Sequence, residues 1–162
     1  MTTKAVYIKQ LGLLPHPEGG WYKQLYHSED TFFAPESNGD RYRYTSILFL
    51  LDSTHPSHFH RLNHDELWYF HDGSPVTIHC IDVNGNYQTV RLGKNILAGE
   101  RLQFRVTKKT IFASEVTDSN SFGLVSCMVS PGFDYHDFEL FTKAELLADY
   151  PSYTELIDRL GS

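Results

Sequence analysis

Six of the nine histidines in this 162-residue chain lie between positions 55 and 79, in a segment that also contains Glu66. Imidazole changes its charge near neutral pH, so a histidine can take or give a proton in catalysis. Imidazole and carboxylate groups together also bind several divalent metal ions. We therefore expect the chemistry of the protein in this segment, as acid–base catalysis or as metal binding. The six histidines are His55, His58, His60, His64, His71 and His79.

Three further side chains have the character of ligand-binding groups. Trp68 lies two residues after Glu66, so on a strand the two share a face, and its indole could form a flat wall for a sugar or aromatic ring. Gln103, on the same strand face as Arg105, offers directional hydrogen bonds, while the Arg61 guanidinium is suited to carboxylates and phosphates. The alternatives are core packing for Trp68 and a surface salt bridge for Arg61.

Other polar residues are interpreted as structural. His64 and His71 are expected to brace turns or face solvent, and His55 to belong to a loop. Proline and glycine shape the backbone in segments 16–20 and 131–133, so we expect these segments to serve the fold rather than the site.

The chain from position 44 onward alternates β-rich runs with turn residues, a pattern typical of a sandwich or barrel. Asn84-Gly85 predicts a tight hairpin with positive φ at both residues and with Ile81 and Tyr87 near its ends. The polar stretch 29–40 is expected to be an exposed loop. The predicted strands cover 21–27, 44–51, 67–70, 76–81, 87–92, 102–106, 110–116 and 122–129.

Helices are expected near both ends of the sequence. Residues 3–11 form an amphipathic pattern, and Gly12 is suited to the left-handed conformation that ends a helix. Segments 142–145 and 152–155 run from a hydroxyl residue to a glutamate and match the capping box, so a short helix should follow each.

Composition argues against several classes of protein. The longest apolar run, Ile47–Leu51, is far shorter than the roughly 20 residues that span a bilayer, and the first residues lack the apolar stretch of a secretory signal. A formal charge of −6 without a dense basic cluster makes nucleic acid a poor partner. Cys80 and Cys127 lie in apolar runs typical of buried free thiols, although they could pair if their strands adjoin. We expect one cytoplasmic domain over residues 1–162.

Residues 57–73 resemble the first motif of the cupin superfamily. In that motif two histidines one residue apart share a strand face, a glutamate follows on the next strand, and a glycine closes a turn seven positions later. His58, His60, Glu66 and Gly73 match this order, with one extra residue between His60 and Glu66. The resemblance implies that His60 and Glu66 are catalytic residues in a pocket, and that His58, His60 and Glu66 are candidate metal ligands.

Residues 99–112 resemble the second cupin motif. Thr107 and Lys109 replace its proline and glycine, and Phe112 stands where its metal-binding histidine would be. The resemblance therefore implies no tightly bound metal, although a divalent ion could bind weakly.

Several segments narrow the resemblance to the cupin-5 group over nearly the whole chain. They occur in order at 14–22, 45–51, 60–73 and 130–138. The resemblance implies a mainly β protein, a cupin-type jelly-roll β-barrel with short flanking helices at the N- and C-termini, and a homodimer. Fold alone does not fix function.

Three functions are compatible with these observations. The first is a metal-independent isomerase or epimerase of a sugar-like or carboxylate metabolite, in which His60 takes a proton and Glu66 or a tyrosine such as Tyr135 returns one. The second is a metal-dependent oxygenase or hydrolase with iron, zinc or manganese held by His58, His60 and Glu66. The third is a non-catalytic module that closes around a small-molecule ligand.

Overall fold

The computed structural model describes residues 2–162 of the chain. Strands dominate this range, and short helices lie near both of its ends. The strands are β1 (Leu14–Pro15), β2 (Trp21–His27), β3 (Thr31–Ala34), β4 (Gly39–Tyr42), β5 (Thr45–Asp52), β6 (Ser57–Arg61), β7 (Asp65–Gly73), β8 (Val76–Ile81), β9 (Tyr87–Leu92), β10 (Gln103–Val106), β11 (Ile111–Glu115), β12 (Phe122–Ser130) and β13 (Glu139–Leu140). The α-helices are α1 (Lys4–Leu11), α2 (Lys143–Asp149) and α3 (Thr154–Leu160).

The strands form two facing sheets and a separate hairpin of β3 and β4. The first sheet has the order β1-β2-β5-β12-β7-β10, and the second has the order β13-β6-β11-β8-β9. All of the paired strands are antiparallel. This arrangement confirms the predicted jelly roll with terminal helices. The sheets are not closed into a barrel. Between β9 and β10 there is an isolated bridge, which joins Leu92 at the end of β9 to Arg101 just before β10.

The hydrophobic core fills the space between the two sheets. Side chains alternate across each strand, so every second residue of the central strands points into this space. Cys80 and Cys127 belong to the core as free thiols, as predicted. The largest of its almost completely buried side chains are Phe49, Leu51, Trp68, Ile78 and Phe112.

A second apolar cluster lies on the outer face of the five-stranded sheet, where α2 and α3 cover Phe59, Ile81 and Ile111. The capping box of segment 142–145 is present, whereas α3 begins after a 3₁₀ turn without a side-chain cap, so segment 152–155 forms no box. Gly12 ends α1 with the predicted positive φ of 64°. No helix in residues 2–162 has the length and apolar character needed to cross a membrane.

The first and last residues predicted for β2, β8 and β9 are confirmed. Stretch 29–40 is not simply a loop, because it contains β3 and the start of β4. At the hairpin after β8, Ile81 pairs with Tyr87 as expected. Positive φ is found at Gly85 but not at Asn84, because the Asp82 carboxylate accepts two backbone N–H groups and holds a longer turn.

Candidate functional site

A cavity of about 280 Å³ lies among β2, β5, β6, β7 and β12 and the loop before β2. Small-molecule sites usually measure about 300–1,000 Å³, so this cavity suits one compact ligand. Tyrosine, phenylalanine and aliphatic side chains form much of its wall. The polar residues that line it are His16, Glu18, Gln24, Thr45, His60 and Glu66.

Glu18 reaches the cavity because the loop before β2 folds back onto the start of β6. The backbone N–H of His58 donates to the Glu18 carbonyl over 2.7 Å. Gly19 and Gly20 have φ of 111° and 72°, and a Cβ on Gly19 would lie 1.9 Å from the Pro56 carbonyl oxygen. Glycine is therefore required for this close approach.

Glu18 and His60 form the closest acid–base contact of the cavity. Glu18 Oε2 lies 3.1 Å from His60 Nε2, and the side chains are 9% and 2% exposed. His60 Nδ1 donates to the His58 carbonyl over 2.7 Å, and the Ser57 hydroxyl donates to Glu18 Oε1 over 2.9 Å. With its Nδ1 proton engaged, a neutral His60 turns the free lone pair of Nε2 toward the Glu18 carboxyl.

Burial favours the uncharged forms of both partners. It lowers the pKa of His60 to about 4, because the imidazolium ion would lose its hydration. Burial also raises the pKa of Glu18, although His16 and the Ser57 hydrogen bond oppose this. Burial therefore shifts both groups toward their uncharged forms where Glu18 Oε2 faces His60 Nε2.

Glu66 brings a second carboxyl into the same cavity. Burial, and then the nearby Glu18, raise the pKa of Glu66 to about 8, while Trp68 and Cys127 oppose the rise. Within residues 2–162, Glu66 Oε2 has no hydrogen-bond partner, although it is buried. Buried polar atoms without a hydrogen-bond partner are uncommon, and a ligand hydroxyl would supply the partner that Glu66 Oε2 lacks.

His16 is the fourth ionisable side chain of the cavity. Its Nδ1 accepts the backbone N–H of Glu18 over 3.1 Å, and its ring packs edge-on against Tyr22 with centroids 4.5 Å apart. Burial lowers the pKa of His16, whereas Glu18 raises it. Since Nδ1 is an acceptor, Nε2 carries the proton of the neutral ring.

Two tyrosines stand at the rim of the cavity. The hydroxyls of Tyr22 and Tyr135 are 3.5 Å apart. Burial and Tyr22 raise the pKa of Tyr135 to about 12, so this candidate acid keeps its proton. The turn that carries Tyr135 is fixed by Asp137, whose carboxylate accepts two bonds from the buried Arg41 guanidinium at 2.8 and 3.1 Å.

Three residues that the sequence analysis named as possible catalytic groups line this cavity: His60, Glu66 and Tyr135. His58 does not line it: its Nδ1 donates to the Glu18 carbonyl over 2.8 Å, so it holds the loop. Trp68, 1% exposed, shares the face of Glu66 as expected but packs in the core against Phe49.

Gln103 and Arg61, both predicted to bind a ligand, lie outside this cavity. Gln103 pairs with Tyr69 on the exposed face of β10, whereas its neighbour Phe104 pairs with Trp68. Arg61 lies on the face of β6 opposite His60 and forms an exposed salt bridge with Glu139 at 2.5 Å. Arg61 therefore forms the surface salt bridge that was its alternative interpretation.

Sequence reasoning missed His16 and Glu18, because the glycines and prolines of their loop were interpreted as serving only the bend. The sequence signal was a histidine and a glutamate on either side of Pro17. His64 was expected to brace a turn or to face solvent. It lies in the bend between β6 and β7, is 4% exposed and is bonded to the Ser37 hydroxyl over 2.7 Å, which agrees with the first of these alternatives.

The family model described as Cupin superfamily (DUF985) matches residues 5–141. This chain belongs to that cupin family. The resemblance found in its sequence motifs is therefore confirmed. No curated protein gives a significant match.

Solved structures agree with this cupin assignment. A hypothetical protein from Leishmania major is 39% identical, with 99% of each chain covered and a TM-score of 0.92. A protein from Shewanella oneidensis is 45% identical, with 100% of this chain and 99% of that one covered and a TM-score of 0.91. Oxalate decarboxylase from Bacillus subtilis, at 14% identity, shares the fold alone: 90% of this chain and 36% of that one are covered, with a TM-score of 0.58.

The cupin motifs imply a metal held by His58, His60, Glu66 and a further histidine, and the residues present do not fit it. The His58 ring is engaged by the loop, and the Phe112 ring occupies the fourth position, with its centroid 4.1 Å from that of His60. Within residues 2–162, no three or more His, Cys, Asp or Glu residues are grouped to hold an ion. Family and fold together support a small-molecule-binding cupin.

Proposed function

We propose that this cupin is a metal-independent isomerase or epimerase of a small hydroxy-carbonyl metabolite. The observation that carries the proposal is one cavity that holds a buried imidazole, His60, beside two buried carboxyls, Glu18 and Glu66. Near pH 7 the His60 imidazole is neutral and able to accept a proton, while Glu66 is protonated and able to donate one. These are the two states that concerted acid–base catalysis requires.

In the proposed reaction, Glu66 donates its proton to the carbonyl oxygen of the substrate. The pair of Glu18 and His60 removes a proton from the adjacent carbon, and the electrons of that C–H bond form the double bond of an enediol. Return of a proton to the former carbonyl carbon gives an isomer, while the proton of the other enediol hydroxyl passes to the Glu66 carboxylate. Return to the opposite face of the carbon that lost its proton gives an epimer, while Glu66 recovers the proton that it donated. Protons and electrons balance within the substrate and the three side chains.

Glu18 is proposed to act with His60 as one proton-accepting unit. In its protonated form, which burial favours, Glu18 holds the proton that faces Nε2 of His60. Passing that proton to His60 leaves a carboxylate that can accept the substrate proton. The 3.1 Å separation of the two atoms supports this relay, because such a transfer needs hydrogen-bond reach.

Solvent deuterium exchange tests the proposal. Aldoses, ketoses and their sugar acids are incubated with the protein in D₂O, and ¹H NMR follows loss of the proton next to the carbonyl. We expect exchange in at least one compound, and a fall of about 10²–10⁴-fold in Glu66→Gln, His60→Asn and Glu18→Gln. Gln103→Ala, on the exposed face of β10, is the matched control and should exchange at the unaltered rate.

A different outcome would favour a non-catalytic binding module. In that case a compound would bind, His60→Asn would weaken the binding, and neither exchange nor product would be detected. Such a result would overturn the enzymatic proposal while keeping the cavity as a ligand site.

We also propose that the protein is a homodimer. β2 pairs with β1 only through Trp21 and Tyr22, so the edge from Lys23 to His27 is free within residues 2–162. Leu25 and Tyr26 are 43% and 65% exposed on this strand. A free edge with apolar side chains favours pairing with another chain. Sedimentation equilibrium should give a dimer, and Tyr26→Lys should shift it toward monomer.

A cytoplasmic location without a nucleic-acid partner completes the proposal. The lack of a nucleic-acid partner is supported by the formal charge of −6, which gives no favourable attraction to phosphates. Retention on heparin at low salt would contradict the absence of a polyanion partner, and fractionation of cells tests the location.

A further inference from the structure

We infer that the ligand of this cavity is an uncharged, hydroxyl-bearing compound of monosaccharide size, rather than a carboxylate, a phosphate or a nucleotide sugar. The inference rests on the proposed function and deepens it by choosing between the two substrate classes that the sequence left open. It is carried by the charges of the cavity wall.

No lysine or arginine is found among the cavity-lining residues of the described chain, 2–162. Arg61 and Arg41, which lie on elements close to the cavity, are committed elsewhere. Arg61 pairs with Glu139 on the outside of β6, and Arg41 is bound to the Asp137 carboxylate. An anionic ligand would therefore enter without a cationic partner.

The burial of the wall makes an anion still less favourable. Glu18 and Glu66 are 7% exposed each and carry no positive charge, so a bound carboxylate would be desolvated beside them without a cationic partner. Burying an unpaired charge is far more costly than burying a hydrogen-bonded polar group. The cavity would thus reject the anionic member of a pair of otherwise similar ligands.

The same wall is well supplied with partners for hydroxyl groups. Glu66 Oε2 is buried and unpartnered within residues 2–162, and His16 has an Nε2 proton to donate. Gln24 and Thr45 add an amide and a hydroxyl. Hydroxyls both donate and accept, so they can satisfy this mixed set of neutral groups.

Size and shape support the same class. The volume of about 280 Å³ has no room for the base, ribose and diphosphate of a nucleotide beside a sugar. Tyr22, Phe133 and Tyr135 supply aromatic faces, against which the C–H faces of a sugar ring can pack.

The test compares ligands that share a carbon skeleton and differ in charge. Aldohexoses and ketohexoses, the corresponding uronic acids, 6-phosphates and amino sugars are titrated into the intact protein by calorimetry and ligand-observed NMR. We expect the uncharged member of each series to bind at least about tenfold more tightly than the acid or phosphate, which corresponds to about 1.4 kcal/mol. Tighter binding of an acid, a phosphate or an amine, or no binding by any member, would overturn the inference.

A positive charge placed at the rim of the cavity provides a second test of the inference. Gln24 is exposed at the edge of the cavity, so Gln24→Lys should fold and should improve uronic-acid binding about tenfold through a charged hydrogen bond. Gln103→Lys adds the same charge outside the cavity and should leave every affinity unchanged. Equal gains in both variants would show that net charge alone acts, against the inference.

The two proposals can fail separately. Preferential binding of an uncharged sugar without deuterium exchange would overturn the isomerase and keep the ligand class. Exchange confined to a sugar acid would keep the isomerase and overturn the ligand class.

Discussion

Replacement of Glu66 by glutamine should stabilise the protein, and the gain should grow with pH. The pKa of Glu66 is about 8 in the folded protein and 4.5 when the chain is exposed. Between these values the folded state binds more protons than the unfolded state, so the free energy of unfolding falls as pH rises. Glutamine does not ionise and escapes this loss.

The size of the stabilisation by Glu66→Gln follows from the difference between the pKa values of Glu66 in the folded and the unfolded protein. Each pKa unit corresponds to about 1.36 kcal/mol, so the gain is small at pH 4.5, about 3.4 kcal/mol at pH 7 and at most about 4.8 kcal/mol above pH 8. These are upper limits, because a buried amide must also be desolvated. His60, with a pKa lowered to about 4, adds stability as pH rises from 4 to 6.5, but this contribution is common to both proteins and cancels.

Urea unfolding at pH 5, 6, 7, 8 and 9 measures the difference directly, provided that the m-values of the two proteins agree. Glu29→Gln makes the same chemical change at an exposed position and sets the baseline. A Glu66→Gln difference that is flat from pH 5 to pH 9, or a variant less stable than the parent at pH 8, would refute the assignment of Glu66 as a buried neutral acid.

Three further results are expected from stability and binding measurements. Arg41→Ala leaves the Asp137 carboxylate buried without its cation and should lower the free energy of unfolding by about 3–5 kcal/mol, against about 0–1 kcal/mol for the exposed Arg61→Ala, in urea titrations. Gly19→Ala should cost about 1–3 kcal/mol and weaken ligand binding in calorimetry, because its Cβ would collide with Pro56. Zinc and iron should bind only weakly in equilibrium dialysis; stoichiometric metal that resists chelators would contradict this.

Much of the fold could be predicted because strand periodicity is a local signal. β2, β8 and β9 follow the runs of β-forming residues, and Gly12 marks the end of α1. The hairpin of β3 and β4 was missed because each strand has only four residues, and the turn residues between and beside them dominate the pattern of the segment.

The candidate site could be predicted only in part. His60 and Glu66 belong to a recognisable motif, but the contact of Glu18 with His60 joins residues about forty positions apart, and no local pattern reveals it. Gln103 was predicted to bind a ligand, although the residues around it in the sequence indicate an exposed side chain. Phe104 and Val106 alternate with it, and apolar side chains at those positions point Gln103 toward solvent.

The helices α2 and α3 bear on how much chain a working fragment must contain. The family match ends at residue 141, before α2 begins, and every cavity-lining residue precedes that point. Phe59, however, is fully buried in the cluster that these helices complete, and it neighbours His60 in β6. A fragment that ends at residue 141 would keep every cavity-lining residue but would expose the apolar outer face of β6, the strand that orients His60. Residues 142–162 are therefore needed to hold the site in place, although none of them lines it.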